Sequence, residues 1–274
     1  MDVLPLQLVT PPEHLHRSLK MVDYFLHVSP LDEAIALKHP GGQLWKSYQN
    51  EILEGNSLGF FSKIQALSEL ADDPRVETIC EIGFNAGYSA LNFLVSNPTA
   101  RFISFDLFEH SYTPFAVQVL HDMFPARSIT VIAGSSLYTV PTYAEAQNAL
   151  SPMCNLLFID GGHTPDILRA DMANFARLAN RTYNKVVVDD IESPDLEAVW
   201  HDLAATAQPG GYQLQPLYMV NATAHGCVGW DPSAAGVGFD FRFNEAACER
   251  FHEDGIWKNA GARSAMGVAE FAFI

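Results

Sequence analysis

Val76-Glu77-Thr78-Ile79-Cys80-Glu81-Ile82-Gly83-Phe84-Asn85-Ala86-Gly87-Tyr88-Ser89 runs from a β-rich segment through a glycine turn into a residue that opens a helix. The β-branched residues favour an extended chain, and the two glycines let the backbone turn sharply and approach a ligand. Similar β-rich runs follow at Arg101 to Leu107, Ser128 to Ala133, Asn155 to Asp160 and Lys185 to Asp189, with helical patterns between them. That alternation predicts βαβ units and a parallel sheet. Leu156-Leu157-Phe158-Ile159 and Val186-Val187-Val188 are continuously apolar, as central strands covered on both faces must be.

The helix boundaries are readable as well. Thr164-Pro165 and Ser193-Pro194 each place a capping hydroxyl before a proline suited to the first helical position. Leu196, Val199, Trp200 and Leu203 then form a stripe that packs on the sheet. Upstream, Phe60, Ile64 and Leu67 follow helical spacing until Asp72-Asp73-Pro74 stops the helix. After Pro209-Gly210-Gly211 come Tyr212 to Val220, a loop around Trp230, the alternating run Val237 to Phe243, and Val268 to Ile274, which read as late strands forming an antiparallel edge. Residues 57–274 are thus expected to form one α/β domain with an open, mostly parallel sheet and helices on both faces. Residues 1–56, punctuated by Pro11-Pro12 and Pro40-Gly41-Gly42, are expected to be a helical cap or oligomerisation arm.

A formal charge of −16 repels phosphate backbones and anionic lipid surfaces, so nucleic acid and membrane are poor partners. No apolar run is long enough to span a bilayer and no basic start precedes an apolar stretch, so a cytoplasmic protein is expected. Cys80, Cys154, Cys227 and Cys248 lack the close pairing of zinc or redox sites and read as reduced, with the first two acting as small buried hydrophobes. A small-molecule partner, with a homo-oligomer left open, is what remains.

In an open α/β sheet the ligand lies beyond the carboxyl ends of the strands, where strand order reverses. The turn there reads Gly83-x-x-x-Gly87, with Asn85 where a dinucleotide fingerprint has its second glycine, so a nicotinamide cofactor is disfavoured though not removed. A plain tight turn is the alternative. Asp106 ends the next strand about 20 residues on, the separation at which a carboxylate can accept ribose hydroxyls.

Glu81-x-Gly83-x-x-x-Gly87 followed by Asp106 resembles the class I S-adenosylmethionine-dependent methyltransferases, which have a Rossmann-like open sheet. The resemblance spans about Phe60 to the C-terminus. It implies that Glu81 and the Gly83, Asn85, Gly87 and Ser89 segment surround the methionine moiety and Asp106 the ribose. It also implies that Gly134-Ser135-Ser136 lies beside adenine, although many relatives carry an Asp in the place of Ser135.

Two more strand ends carry acids, Asp160 in Asp160-Gly161-Gly162-His163 and the pair Asp189-Asp190. A parallel sheet opens both on the edge that carries the glycine turn. Three crowded carboxylates repel unless a cation neutralises them, and an all-oxygen set suits Mg²⁺ or another hard divalent ion. The competing reading has Asp160 capping a helix and the pair in water. The layout resembles the metal-dependent O-methyltransferases, both catechol-type and antibiotic-tailoring, which implies a metal on Asp160, Asp189 and Asp190 with Asp160 also near the cofactor. A hydroxylated small molecule would accept the methyl group. His163 stands where catechol-type relatives have a lysine, and the start of the Thr164-Pro165 helix should keep it neutral as a general base. Trp45 to Tyr48 and the loop around Trp230 are candidate lids. The alternatives are an NAD(P)-dependent oxidoreductase and a non-catalytic S-adenosylmethionine-binding scaffold.

Overall fold

The computed structural model describes residues 31, 34, 35, 38, 60–147, 153–223 and 263–274. The candidate lids, the run Val237 to Phe243, Cys227, Cys248 and nearly all of the 1–56 extension lie outside them. Of that extension, Leu31, Ala34, Ile35 and Lys38 are helical, and Leu31 and Ile35 are fully buried in the core.

The elements alternate: α1 (Phe61–Ala71), β1 (Thr78–Ile82), α2 (Tyr88–Ser96), β2 (Arg101–Asp106), α3 (Thr113–Met123), β3 (Ile129–Ala133), α4 (Ser136–Gln147), β4 (Leu156–Ile159), α5 (Pro165–Leu178), β5 (Lys185–Val188) and α6 (Pro194–Ala205). Two long strands, β6 (Tyr212–Thr223) and β7 (Arg263–Phe273), complete a seven-stranded sheet of order β3-β2-β1-β4-β5-β7-β6. β1 to β5 pair in parallel, while β7 is antiparallel to both β5 and β6. This is the expected Rossmann-like sheet with an antiparallel edge.

Because side chains alternate across a strand, each strand serves two cores. Ile79, Phe102, Leu156, Phe158 and Val187 point to the face covered by α1, α2 and α3. Cys80, Ile82, Ile103, Phe105, Leu157, Ile159, Val186 and Val188 point to the face covered by α4, α5 and α6. β1 and β4 are buried at every position, which is why they read as unbroken apolar runs apart from the polar Thr78 and Glu81.

One expectation fails here. Cys80 and Cys154 are buried as foreseen, but their sulfurs are joined in a disulfide with Cα atoms 5.8 Å apart. They are 74 residues apart in sequence, and only the parallel pairing of β1 with β4 brings them together, so spacing could not reveal it.

Candidate active site

Strand order reverses between β1 and β4, whose neighbours lie in opposite directions, and the loops after these strands converge. Gly83 sits at the crossing with φ +98°, and a Cβ there would lie 1.9 Å from the Asp160 carbonyl oxygen. Only glycine lets the cofactor turn pass so close to the β4 loop. Asn85 (φ 51°) and Gly87 (φ 84°) are also left-handed, the former a conformation asparagine tolerates better than most residues. Gly87 then forms the N-cap of α2.

The turn is fastened by its neighbours. The Asp106 Oδ2 atom accepts from the backbone N–H of Phe84 and of Asn85, both at 2.9 Å, and Oδ1 accepts from that of Phe108 at 2.6 Å. A carboxylate offers about four acceptor positions, so one remains for a ribose hydroxyl rather than the expected two. The Asn85 side chain accepts from the Tyr112 hydroxyl. Glu81 is completely buried, with the Ser89 hydroxyl donating to one oxygen and the Ser104 hydroxyl to the other at 2.7 Å. Burial pushes its carboxyl up to about 8, more than the two hydroxyls draw it down.

Gly134, with φ +126°, ends β3, and its N–H donates to the Asp106 carbonyl. The Ser135 carbonyl accepts from the Thr139 hydroxyl in α4. The Ser136 hydroxyl donates to Asp171 Oδ1 at 2.6 Å. Asp171 is fully buried, its Oδ2 has no protein partner, and burial lifts its carboxyl to about 6. Sequence reading missed it, although an acid within the apolar stripe Leu168, Asp171, Met172, Phe175 was a visible signal. We expect Ser136→Ala, which strips Asp171 of its one hydroxyl donor, to cost about 1 to 3 kcal/mol of stability in urea unfolding at pH 7; an unchanged midpoint would show the bond to be immaterial.

Asp160 and Asp189 extend the sheet by one ladder bond each, Asp160 N–H to Ile82 and Asp189 N–H to Ile159, both 2.9 Å, so their side chains emerge at the same edge as the turn. Asp190 follows in a left-handed conformation (φ 55°) that turns it away from Asp189. His163 Nε2 lies 3.3 Å from Asp190 Oδ2 and 3.8 Å from Asp160 Oδ1. Donor atoms of Asp160, His163 and Asp190 fall within 4.8 Å of one another. Asp189 is not part of that group: its Oδ1 accepts from the Asp190 N–H and from the ammonium of Lys63, a residue of α1 that sequence reading overlooked. His163 precedes the Thr164 cap of α5 rather than lying in its first turn. Asp160, outweighing partial burial and joined by Asp190, raises its pKa, opposite in direction to the influence of a helix start.

No family model and no curated protein matches the sequence. Solved structures do match the fold. The O-methyltransferase TomG from Streptomyces achromogenes, involved in tomaymycin synthesis and solved with SAM, aligns with TM-score 0.55 and 16% identity over 94% of this chain and 98% of its own. An O-methyltransferase from Bacillus cereus in complex with SAH gives 0.54 and 11%, covering 92% and 96%. Cofactor-bound Rv0187 from MTB gives 0.51 and 17%, covering 95% and 98%. Over nearly its whole length, this chain has the fold of the class I S-adenosylmethionine-dependent methyltransferases and resembles their O-methyltransferase members.

Proposed function

We propose that this protein is an S-adenosylmethionine-dependent O-methyltransferase acting on a hydroxyl of a small molecule, assisted by a divalent cation. The observation that carries the reading is the convergence, at one sheet edge, of the Gly83–Gly87 turn with Asp106 and the Asp160, His163 and Asp190 group. The fold shared with cofactor-bound O-methyltransferases supports it.

Two carboxylates with an imidazole beside them fit a divalent cation, which when bound would lower the pKa of an acceptor hydroxyl. Asp160 and Asp190 would hold it, while Asp189 is engaged by Lys63. His163, half exposed at the border of the group, would take the hydroxyl proton from its neutral form, and Asp160 and Asp190 beside it would stabilise the imidazolium that results. S-adenosylmethionine, when bound, would supply a sulfonium methyl group for the acceptor oxygen, the electrons of the carbon–sulfur bond staying on sulfur. Glu81 and Asp106 fix the cofactor turn, so the reacting atoms are held rather than assembled at each turnover.

Calorimetry with S-adenosylhomocysteine and with NAD(P) tests the cofactor. We expect the former to bind and the latter not; the reverse would sink the proposal. Asp106→Ala removes three loop bonds, and we expect at least about 2 kcal/mol, roughly thirty-fold, weaker S-adenosylhomocysteine binding. Unaltered affinity would remove Asp106 from the site.

A further inference from the structure

Lys63 occupies a place in α1 where the apolar stripe of Phe60, Ile64 and Leu67 calls for a hydrophobe. Its side chain is only 6% exposed, and its ammonium bonds Asp189 and stands 3.7 Å from Asp190 Oδ1. Nothing in sheet packing requires a charge at this point. The Phe60 ring lies 5.2 Å from the ammonium and closes that side.

Charge counting gives the residue a purpose. Three carboxylates carry three negative charges, Lys63 cancels one, and the two left over match a single divalent ion. We propose that Lys63 is the resident counter-ion of the acceptor site: it claims Asp189, leaves Asp160 and Asp190 for the cation, and so sets the site's charge and ligand number. This rests on the metal-assisted reading above. Lys63 is a positioning residue, acting through Asp189. Its origin in α1, ahead of the first strand, ties the chemistry edge to a helix that carries none of the cofactor turn.

The test is Mn²⁺ titration of the full chain at pH 8 by calorimetry, with thermal melts of each variant. Asp189→Asn removes one negative charge and leaves the Lys63 ammonium beside Asp190, so Mn²⁺ should bind on the order of ten-fold more weakly than in the parent. Lys63→Met should bind on the order of ten-fold tighter as the freed carboxylate joins the ion, and Lys63→Arg should restore the parent value. The double variant Lys63→Met with Asp189→Asn buries no unpaired charge and should behave like the parent if the single lysine variant fails to fold. Loss of Mn²⁺ in that double variant, matching the loss in Asp160→Asn, would make Asp189 a ligand and overturn the proposal. So would Lys63→Met with a lower melting temperature and unaltered affinity, the signature of a purely structural pin. If the parent binds no Mn²⁺, whether or not Lys63→Met does, the metal-assisted reading falls and this proposal with it.

Discussion

Gly83→Ala is expected to abolish S-adenosylhomocysteine binding and to destabilise the protein by about 2 to 5 kcal/mol, combining overpacking with a disfavoured backbone conformation. The added methyl would sit 1.9 Å from the Asp160 carbonyl oxygen, which is backbone and cannot rotate aside. That carbonyl belongs to the residue whose N–H continues the ladder with Ile82, so relief requires the β1 and β4 ends to separate. The φ of +98° adds a second penalty. Separation at this point widens the crevice on which the cofactor turn is built. Urea unfolding with calorimetry checks both halves, and native stability with intact binding would show the crossing to be looser than described.

The second large effect concerns acidity. Folded Glu81 keeps its proton up to about 8, whereas the unfolded carboxyl releases it near 4.5. Between those values the folded state binds more protons than the unfolded one, so stability falls as pH rises through the window. The slope approaches about 1.4 kcal/mol per pH unit, or several kcal/mol in all. Glu81→Gln keeps the shape and cannot ionise, and the hydroxyls of Ser89 and Ser104 can reorient to accept from its amide. We expect the variant to be more stable than the parent at pH 9, by a margin that shrinks to nearly nothing at pH 4.5. Parallel stability curves across that range would refute the protonated buried carboxyl.

The sheet was legible because its strands are short apolar runs between capped helices, and the division of Phe102 from Ile103 and Phe105 between the two cores obeys the pleat. Asp106, Asp160, Asp189 and Asp190 could be placed at one edge because each ends a strand. What sequence could not supply were the partners. Lys63 and Asp171 lie on helices, far along the chain from the acids and hydroxyls they meet, and each looks like a defect in an apolar stripe rather than a site residue. The amides that occupy Asp106 belong to a turn whose shape depends on the crossing at Gly83, so its reduced capacity for ribose was hidden as well. His163 shows the same limit in part: Asp160, its near neighbour in sequence, raises its pKa most, and Asp190, reached only through the fold, adds to the effect.

The place of β7 has a consequence for how the molecule is made. Among the described residues, β6 pairs only with β7, and β5 meets β6 only through it, so the ribosome delivers β6 before the strand that gives it a seat. The five parallel strands, with the cofactor turn and the acids, can gather while β5 still presents a bare edge, the kind of template that invites pairing with another chain. Only when residues 263–273 emerge is that edge capped and the hairpin-like pair closed. Sheet completion is therefore a late, long-range event in synthesis, and a nascent chain is most open to misassembly just before it.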